Sequence, residues 1–124
     1  MSEVRSYRDL VVWQRAMDVA VATYALTRDF PREELFGLTS QSRRAAVSVA
    51  ANIAEGYGRA SKQSYLNFLR VARGSLKELE THLMLAERIG LAGSDVAGPL
   101  IEQSEEVGRM LHGLIDRVQA TPSR

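Results

Sequence analysis

Two residues of the sequence have types and a spacing that suit metal binding or acid–base chemistry. Glu78 and His82 are one helical turn apart, and Glu102 and Glu105 are expected near the same level on a neighbouring helix. Carboxylate-bridged dimetal bundles use an inward Glu-x-x-His motif on two helices and a glutamate on each of the others. Here the spacing is Glu-x-x-x-His, it occurs once, and the first helix offers no matching inward carboxylate. Because the second histidine, His112, is expected about 16 Å away along the bundle, we predict no metal site.

The other residue types that carry catalysis also lack a supporting pattern. The sequence has no cysteine, which excludes a catalytic thiolate and a disulfide scaffold. No serine has a histidine and a carboxylate that are expected to converge on it. The glycine-rich residues 56–59 follow a helix, whereas a phosphate-binding loop follows a strand. We therefore predict that the protein is not an enzyme, with no catalytic residue, no cofactor and no small-molecule substrate.

The charged residues form two blocks of opposite sign, although 16 basic and 15 acidic residues give a net charge of only +1. From Arg43 to Lys77 there are seven basic residues and one acidic residue, a block charge of +6. From Glu78 to Glu106 there are one basic residue and seven acidic residues, a block charge of −6. The near-neutral total therefore hides two segments that could complement each other.

Antiparallel packing of the second and third helices is expected to bring the basic residues together. If the turn between these helices lies near Arg59, Arg70 is level with Ser48 and Arg73 with Ala45. Both arginines are therefore predicted to lie close to Arg43 and Arg44. The candidate nucleic-acid-binding residues are Arg43, Arg44, Lys62, Arg70, Arg73 and Lys77. Guanidinium groups bind phosphate oxygens in bidentate fashion, and phosphate contacts dominate nucleic-acid affinity. Three interpretations stay open: a solvated face, a phosphate-binding surface, or an interface in which the basic face of one protomer meets the acidic face of the next.

A polar stripe along the second helix is a further unusual feature. Its heptad-spaced residues are Gln41, Ala45, Ser48, Asn52, Glu55 and Arg59, and the other faces of the helix are rich in alanine. As a solvent face, the stripe would contain an ordinary ion pair between Glu55 and Arg59, four residues apart. Because an alanine-rich helix makes a poor surface helix, we favour a buried or inter-subunit polar network that fixes register.

Gly74 interrupts the third helix, where a glycine costs about 1 kcal/mol relative to alanine. With Ser75 beside it, the expected benefit is a close approach to the small residues of the second helix. Together with Glu78, these residues complete the candidate assembly network. Its members are Gln41, Ser48, Asn52, Glu55, Arg59, Gly74, Ser75 and Glu78.

Four helices are predicted, because apolar residues recur at alternating steps of three and four. The first lies between a Ser6–Asp9 capping signal and Phe30–Pro31, and its predicted buried seam is Leu10, Trp13, Met17, Ala20 and Tyr24. The second covers about residues 38–57, with Gly56 and Gly58 as its stop signals. The third runs from a cap at Ser61 to Gly90 with the seam Tyr65, Leu69, Ala72, Leu76, Leu79, Leu83 and Ala86. The fourth begins at a cap at Ser94 or Gly98 and has the seam Leu100, Ser104, Val107, Leu111, Leu114 and Val118.

Short connections between long helices predict an all-α fold, an antiparallel up-down-up-down four-helix bundle. We predict a single domain over residues 1–124, with an ordered core at about residues 7–119. An apolar run long enough for a secretory signal or a membrane span is absent from the sequence. The expected location is therefore the cytoplasm, without a membrane partner.

Several strings of the sequence resemble those of one known family. They are Leu10-Val11-Val12-Trp13-Gln14, Phe30-Pro31, Gly37-Leu38, the run from Gln41 to Ser48, Asn52-Ile53-Ala54-Glu55-Gly56, Arg59-x-Ser61 and Gly74-Ser75-x-x-Glu78. From about Tyr7 to Val118, the sequence resembles the four-helix bundle proteins encoded inside intervening sequences of bacterial 23S rRNA genes. The matched motif positions are Arg43, Arg44, Asn52, Glu55, Gly56, Arg59, Gly74, Ser75 and Glu78.

The resemblance implies a cytoplasmic bacterial four-helix bundle that assembles as a homopentameric ring. A related group serves as accessory proteins to reverse transcriptases of diversity-generating retroelements, where a basic pentamer engages nucleic acid and the polymerase. We therefore predict a non-enzymatic, self-assembling bundle that acts as a scaffold or accessory protein. The alternative is an accessory protein that binds RNA or DNA directly through the basic patch on helices two and three.

Overall fold

Residues 3–122 are described by the computed structural model, and most of them are helical. The helices are α1, Val11–Thr27; α2, Ser40–Tyr57; α3, Lys62–Arg88; and α4, Ser94–Ala120. Two 3₁₀ turns, Tyr7–Asp9 and Arg32–Glu34, and a wider turn at Leu35–Thr39 lie between or before them. Residues 1–2 and 123–124, which the predicted domain includes, lie outside the described residues. None of the described helices combines the length and the apolarity that a membrane crossing requires.

The helices pack side by side as a four-helix bundle, in which α1 closes against both α2 and α4. Contacts between α2 and α3 show that this pair runs antiparallel. Gly56, near the end of α2, packs against Phe68, while Ser48, earlier in α2, contacts Ser75, later in α3. The predicted all-α four-helix bundle is therefore confirmed.

The core consists of one buried stripe from each helix, and the predicted seams of α3 and α4 are confirmed. On α3 the buried seam residues are Leu69, Ala72, Leu76, Leu79, Leu83 and Ala86. On α4 they are Leu100, Ser104, Val107, Leu111 and Leu114. Tyr65, the first residue of the α3 seam, and Val118, the last residue of the α4 seam, are half-buried and pack against this core.

The predicted seam of α1 is wrong in part, because Met17 and Tyr24 are 40% and 42% exposed. The buried residues of α1 are Val12, Ala16, Val19, Ala20, Thr23, Leu26 and Thr27. The Thr23 hydroxyl donates to the carbonyl of Val19 at 2.8 Å, and the Thr27 hydroxyl donates to the carbonyl of Thr23 at 2.7 Å. Since each hydroxyl is satisfied within its own helix, threonine occupies core positions that an apolar pattern does not recognise.

The predicted ends of α3 are confirmed. The Ser61 hydroxyl accepts a hydrogen bond from the backbone N–H of Ser64, and Gly90 follows the helix with a φ of 81°, a conformation that favours glycine. The capping signal of Ser6 and Asp9 is also present as a reciprocal capping box. It caps the 3₁₀ turn that precedes α1, however, and α1 itself begins at Val11.

The start of α4 differs from the prediction. Neither Ser94 nor Gly98 is the capping residue, because the helix begins at Ser94 with Gly93 in the cap position. Pro99 is therefore the sixth helical residue rather than a first-turn residue. Proline has no backbone N–H, so the carbonyl of Asp95 receives no helical hydrogen bond from it.

Gly56, and not Gly74, is the glycine at which α2 and α3 approach closely. A Cβ at Gly56 would lie 2.8 Å from the Cβ of Phe68 and 3.0 Å from the Cδ1 of Tyr65. At Gly74, no heavy atom of the described residues lies within 4 Å of the position of an added Cβ, apart from the helix's own backbone. The predicted close approach of Gly74 to the second helix is therefore wrong within the protomer.

Exchanging each glycine for alanine should have opposite effects on stability. Gly56→Ala forces Phe68 or Tyr65 to move, and we expect it to lower the free energy of unfolding by about 1–3 kcal/mol. Gly74→Ala improves helix propensity without a clash, and we expect it to raise the free energy of unfolding by about 0.5–1 kcal/mol. Urea unfolding followed by circular dichroism measures both. Equal effects of the two substitutions would contradict this assignment of the close contact.

Candidate interaction surfaces

Three members of the predicted polar network meet at the contact between α2 and α3. The Ser48 and Ser75 hydroxyl oxygens are 2.8 Å apart and hydrogen-bonded. The Asn52 side-chain amide donates to the carbonyl of Ser48 at 2.8 Å and to its hydroxyl at 3.0 Å. All three side chains are half-buried. This part of the network therefore joins two helices of the same protomer.

Two further members of the network, Gln41 and Glu78, border an open groove beside these serines, together with Arg44 from the predicted basic patch. Gln41, Arg44 and Glu78 are exposed and line the groove together with Ser48 and Ser75. Arginine, glutamine, serine and glutamate together offer both hydrogen-bond donors and acceptors. The groove is thus a polar, mixed-charge surface rather than a uniformly basic one.

Glu55 and Arg59 form the ordinary ion pair that their spacing predicts, on the exposed side of the bundle. An Arg59 guanidinium nitrogen lies 2.8 Å from a carboxylate oxygen of Glu55. The guanidinium carbon also lies 4.7 Å from the ring centroid of Phe68. Exposed pairs of this kind contribute a few tenths of a kcal/mol, so Glu55 and Arg59 support the end of α2 without forming a buried network.

The packing of aromatic residues near the end of α2 changes the pKa of one of them, Tyr65. The rings of Tyr57 and Tyr65 are perpendicular, with centroids 6.2 Å apart. Burial raises the pKa of Tyr65 above 10, and Tyr57 raises it further, while Arg117 lowers it. This is a consequence of packing between α2 and α3, and no acid–base partner is needed to explain it.

Arg43 faces α1 instead of joining the other basic residues. Its Nε donates to the Thr27 hydroxyl at 2.9 Å, and its guanidinium carbon lies 4.6 Å from the ring centroid of Tyr24. These contacts hold the side chain half-buried across the α1–α2 junction. Arg43 is therefore engaged in the packing of its own protomer.

Arg73 and Lys77 lie on the side of α3 that is next to α4, and not beside the groove between α2 and α3. They border a groove whose other walls include Arg109, His112 and Glu105. Arg70 is half-buried one turn before Arg73, which by helical periodicity puts it on the same side of α3. We call this surface the α3–α4 basic face. It contains basic residues of α4 that were absent from the predicted patch.

Lys62 has a structural role at the end of the bundle. Its ammonium group donates to the carbonyl oxygens of Gln119 and Thr121, both at 2.7 Å. These carbonyls belong to the end of α4, where helical partners are missing. Lys62 thus caps α4 from the first position of α3.

The single basic patch predicted on helices two and three is therefore not formed within the protomer. Arg43 contacts α1, Arg44 lines the α2–α3 groove, and Arg73 borders α4. The helices pack in a register that differs from the one assumed in the prediction. Of the six candidate residues, Arg70, Arg73 and Lys77 share one surface.

An exposed apolar surface covers the outer side of α1 and α2, and sequence reasoning missed it. It comprises Met17, Val21, Tyr24 and Val47, of which Val21 is 68% exposed. Arg43 contacts both Tyr24 and Thr27, and Val47 lies one turn further along α2, level with Val21 in the antiparallel register. We call this surface the α1–α2 face. Met17 and Tyr24 had been predicted as core residues, and their apolar spacing was the sequence signal that could have pointed to this face.

A second apolar region lies at the end of the bundle that holds residues 28–39 and 89–93, here called the apical end. Phe36, in the wide turn before α2, is 89% exposed. Ile89 and Val96 are also more than half exposed at this end. Phe36 was not singled out in the sequence, because one aromatic residue in a turn carries no periodic signal.

Between α1 and α4, the apical end also contains a groove of about 450 Å³. Its walls are largely apolar and include Ala22, Ala25, Val96 and Leu100, with Asp29 on the lining. We call it the apical groove.

The carboxylates and histidines of residues 3–122 do not form a cluster of three that could hold a metal ion. His82 Nε2 lies 3.9 Å from a Glu78 oxygen, and the Nδ1 of His82 is buried without a hydrogen-bond partner in the described residues. Glu80 has a side chain that is 7% exposed, and one of its oxygens lies 3.4 Å from the ammonium of Lys77.

Comparison with known proteins agrees with the resemblance noted in the sequence. A solved structure of a protein of unknown function from the S23 ribosomal protein family of Bacteroides thetaiotaomicron superposes with a TM-score of 0.76 and 23% sequence identity. The match covers 84% of this chain and 97% of that chain, and at this identity it shows the fold alone. No curated protein matches the chain significantly. The profile of the 23S rRNA-intervening sequence proteins matches residues 8–113, and the chain therefore belongs to the 23S rRNA-intervening sequence protein family.

Proposed function

We propose that the protein is a non-enzymatic helical bundle that assembles with copies of itself, as a homopentameric ring, and acts in the bacterial cytoplasm as a scaffold or accessory protein. The observation that carries this proposal is the exposed α1–α2 face. Met17, Val21 and Tyr24 are exposed at helical spacing on α1, and Val47 is exposed on α2 one turn after Arg43, which contacts Tyr24. Contiguous apolar surface of this kind marks interaction sites in soluble proteins.

Burial of this face would be favourable. Each large apolar side chain gains roughly 1.5–3 kcal/mol when it is fully transferred from water into an apolar contact. Four such residues are enough to form the centre of an interface, surrounded by the polar side chains of Arg43 and its neighbours. Self-association supplies this burial without a different protein.

The opposed charge blocks also support self-assembly. The basic block lies mainly on α2 and the first half of α3, and the acidic block lies on the end of α3 and on the first half of α4. The two blocks are segments of opposite charge within one protomer, and complementary charges between segments of two copies favour association and fix orientation. A contact between unlike faces is heterologous and closes into a ring when the rotation permits. The number five comes from the family resemblance.

A charge placed on the α1–α2 face should weaken assembly. We expect the unsubstituted protein to have a mass close to five times that of one chain in light scattering at low salt. Val21→Glu and Val47→Glu place an unpaired carboxylate in the contact, and we expect each to raise the concentration needed for half-assembly at least about tenfold.

Val4→Glu is the matched control, because Val4 is also an exposed valine but lies before the helices. It should leave the assembly unchanged, and circular dichroism should show the same helix content in all variants. A monomeric unsubstituted protein at low salt and high concentration would refute the proposal.

The second candidate function is direct binding of RNA or DNA, and the α3–α4 basic face is the observation that favours it. Arg73, Lys77, Arg109 and His112 border one groove, and Arg70 lies one turn away. Glu105 in the groove and Glu106, paired with Arg109 at 2.8 Å, reduce the net positive charge. Self-assembly is therefore the first proposal and nucleic-acid binding the second.

Neutral substitutions separate this face from the rest of the predicted patch. We expect Arg70→Gln and Arg73→Gln each to weaken binding of a fluorescent RNA or DNA, measured by anisotropy, and to reduce the salt slope of log K by about one unit. Arg44→Gln, on a different groove, should leave both quantities unchanged. Affinity that is immeasurable at low salt, or equal effects of all three substitutions, would count against this function.

A further inference from the structure

The α1–α2 face is bordered by arginines that lack carboxylate partners. Arg28 is exposed on α1, one turn after Tyr24. Arg44 is exposed on α2, one turn before Val47. Arg43 lies against the ring of Tyr24, and none of the three arginines forms an ion pair within residues 3–122. The apolar centre of the face therefore has a border of three positive charges that its own protomer does not pair.

The other side of α1, next to α4, carries an excess of acidic groups. The apical groove continues toward the middle of the bundle as a second groove of about 430 Å³, and Pro99 and Gln103 line both. We call the two together the α1–α4 groove. Its lining has four carboxylates against two guanidinium groups, a net charge of −2: Asp18, Asp29, Glu102 and Glu106 against Arg15 and Arg109. Glu106 pairs with Arg109, whereas the other three carboxylates form no ion pair with the described part of the chain.

The α1–α4 groove also matches the α1–α2 face in apolar surface. Ala22 and Ala25 keep the α1 wall of the groove low, and Val96 on its α4 wall is 53% exposed. The α1–α2 face instead presents large side chains, with Met17 and Val21 one turn apart. Helices pack by placing ridges of large side chains into grooves between smaller ones. The two surfaces are therefore complementary in shape as well as in charge.

We infer that the α1–α2 face of one copy docks into the α1–α4 groove of the next copy, an inference that rests on the proposed self-assembly and names the surface that receives the face. In this contact, Arg28 and Arg44 meet carboxylates that also lack partners in their own protomer. Two α1–α2 faces that met each other would instead bring arginines together, and like charges across an interface are unfavourable. Charge therefore selects the groove over a second α1–α2 face.

The position of α1 between these two surfaces determines how the contact repeats. In a bundle with four helices at the corners of a square, neighbouring sides meet at about 90°. Each copy in a ring of five occupies about 72° around the axis, and each copy in a ring of four occupies about 90°. A heterologous contact between neighbouring sides of the bundle is thus close to the geometry that a small ring needs. In such a ring, α1 is the helix nearest the axis, because both contacts share it.

Reversal of the groove charges should weaken assembly. Asp18→Lys combined with Glu102→Lys places two cations opposite the arginines of the neighbouring copy, and both positions are exposed, so the fold should be retained. We expect this variant to raise the concentration for half-assembly, measured by sedimentation velocity, at least about tenfold. Glu105→Lys is the matched control, because Glu105 is an exposed acid of α4 that faces α3 instead. It should change that concentration less than about twofold.

Charge reversal on both surfaces provides the decisive measurement. Arg28→Glu combined with Arg44→Glu should weaken assembly by a similar factor, and a chain that carries all four substitutions should regain most of the lost affinity, because opposite charges again face each other. If the fourfold variant assembles no better than either pair, or if the groove pair behaves like Glu105→Lys, docking into the groove is refuted. Self-assembly through the α1–α2 face still stands in that case if Val21→Glu weakens it. If the unsubstituted protein is a monomer, both proposals fail.

A cross-linking measurement is independent of these affinities, because the sequence has no cysteine. A Val47→Cys chain mixed with a Gln103→Cys chain should be joined by a short, flexible thiol-reactive cross-linker, since Val47 lies on the face and Gln103 lines the groove. Val47→Cys mixed with Glu105→Cys is the control, because Glu105 lies on the side of α4 that faces α3. Equal yields in the two mixtures would overturn the inference.

Discussion

The packing of α2 against α3 is the constraint on which the placement of the surface side chains depends. Gly56 lets the two helices approach closely, since any Cβ there would meet Phe68 and Tyr65. The hydrogen bond between Ser48 and Ser75 then specifies which levels of the two helices face each other. Polar contacts within a helix interface cost little when they are satisfied, and they exclude alternative registers. Once this register is set, the direction of each arginine on the two helices follows.

That register explains why the predicted basic patch is not formed. Sequence reasoning put Arg70 level with Ser48, whereas the structure puts Ser75 there. The difference of five residues is about 7.5 Å along a helix. Residues five positions apart also point to different sides of the helix, because five residues do not make a whole number of turns. Apolar periodicity identifies the buried stripe of a helix. However, if one helix slides along its neighbour by a whole turn, the same stripe stays buried. Only side-chain details such as the serine pair distinguish these shifts, so the seams of α3 and α4 were predicted correctly while the combination of arginines across helices was not.

The fold itself was largely predictable, and its exceptions have identifiable causes. Leucine seams on α3 and α4, and the stop at Gly90, are strong local signals. The seam of α1 was misassigned because Thr23 and Thr27 occupy the core. Gly56 was interpreted as a helix stop although it is a packing residue, and Gly74 was given the packing role instead. The exposed α1–α2 face was not predictable, because apolar residues at helical spacing indicate burial without stating whether the covering surface belongs to the same chain.

The position of Lys62 shows that helix electrostatics in an antiparallel bundle is shared between neighbours. Judged on α3 alone, a cation in the first turn is unfavourable, because the amino end of a helix carries partial positive charge. Its ammonium group, however, contacts two carbonyl oxygens at the negative end of α4. A protein engineer who optimised each helix separately would exchange this lysine for an acid and thereby remove the cap of a different helix. Surface-charge redesign of such bundles therefore has to treat pairs of adjacent helix ends as the unit.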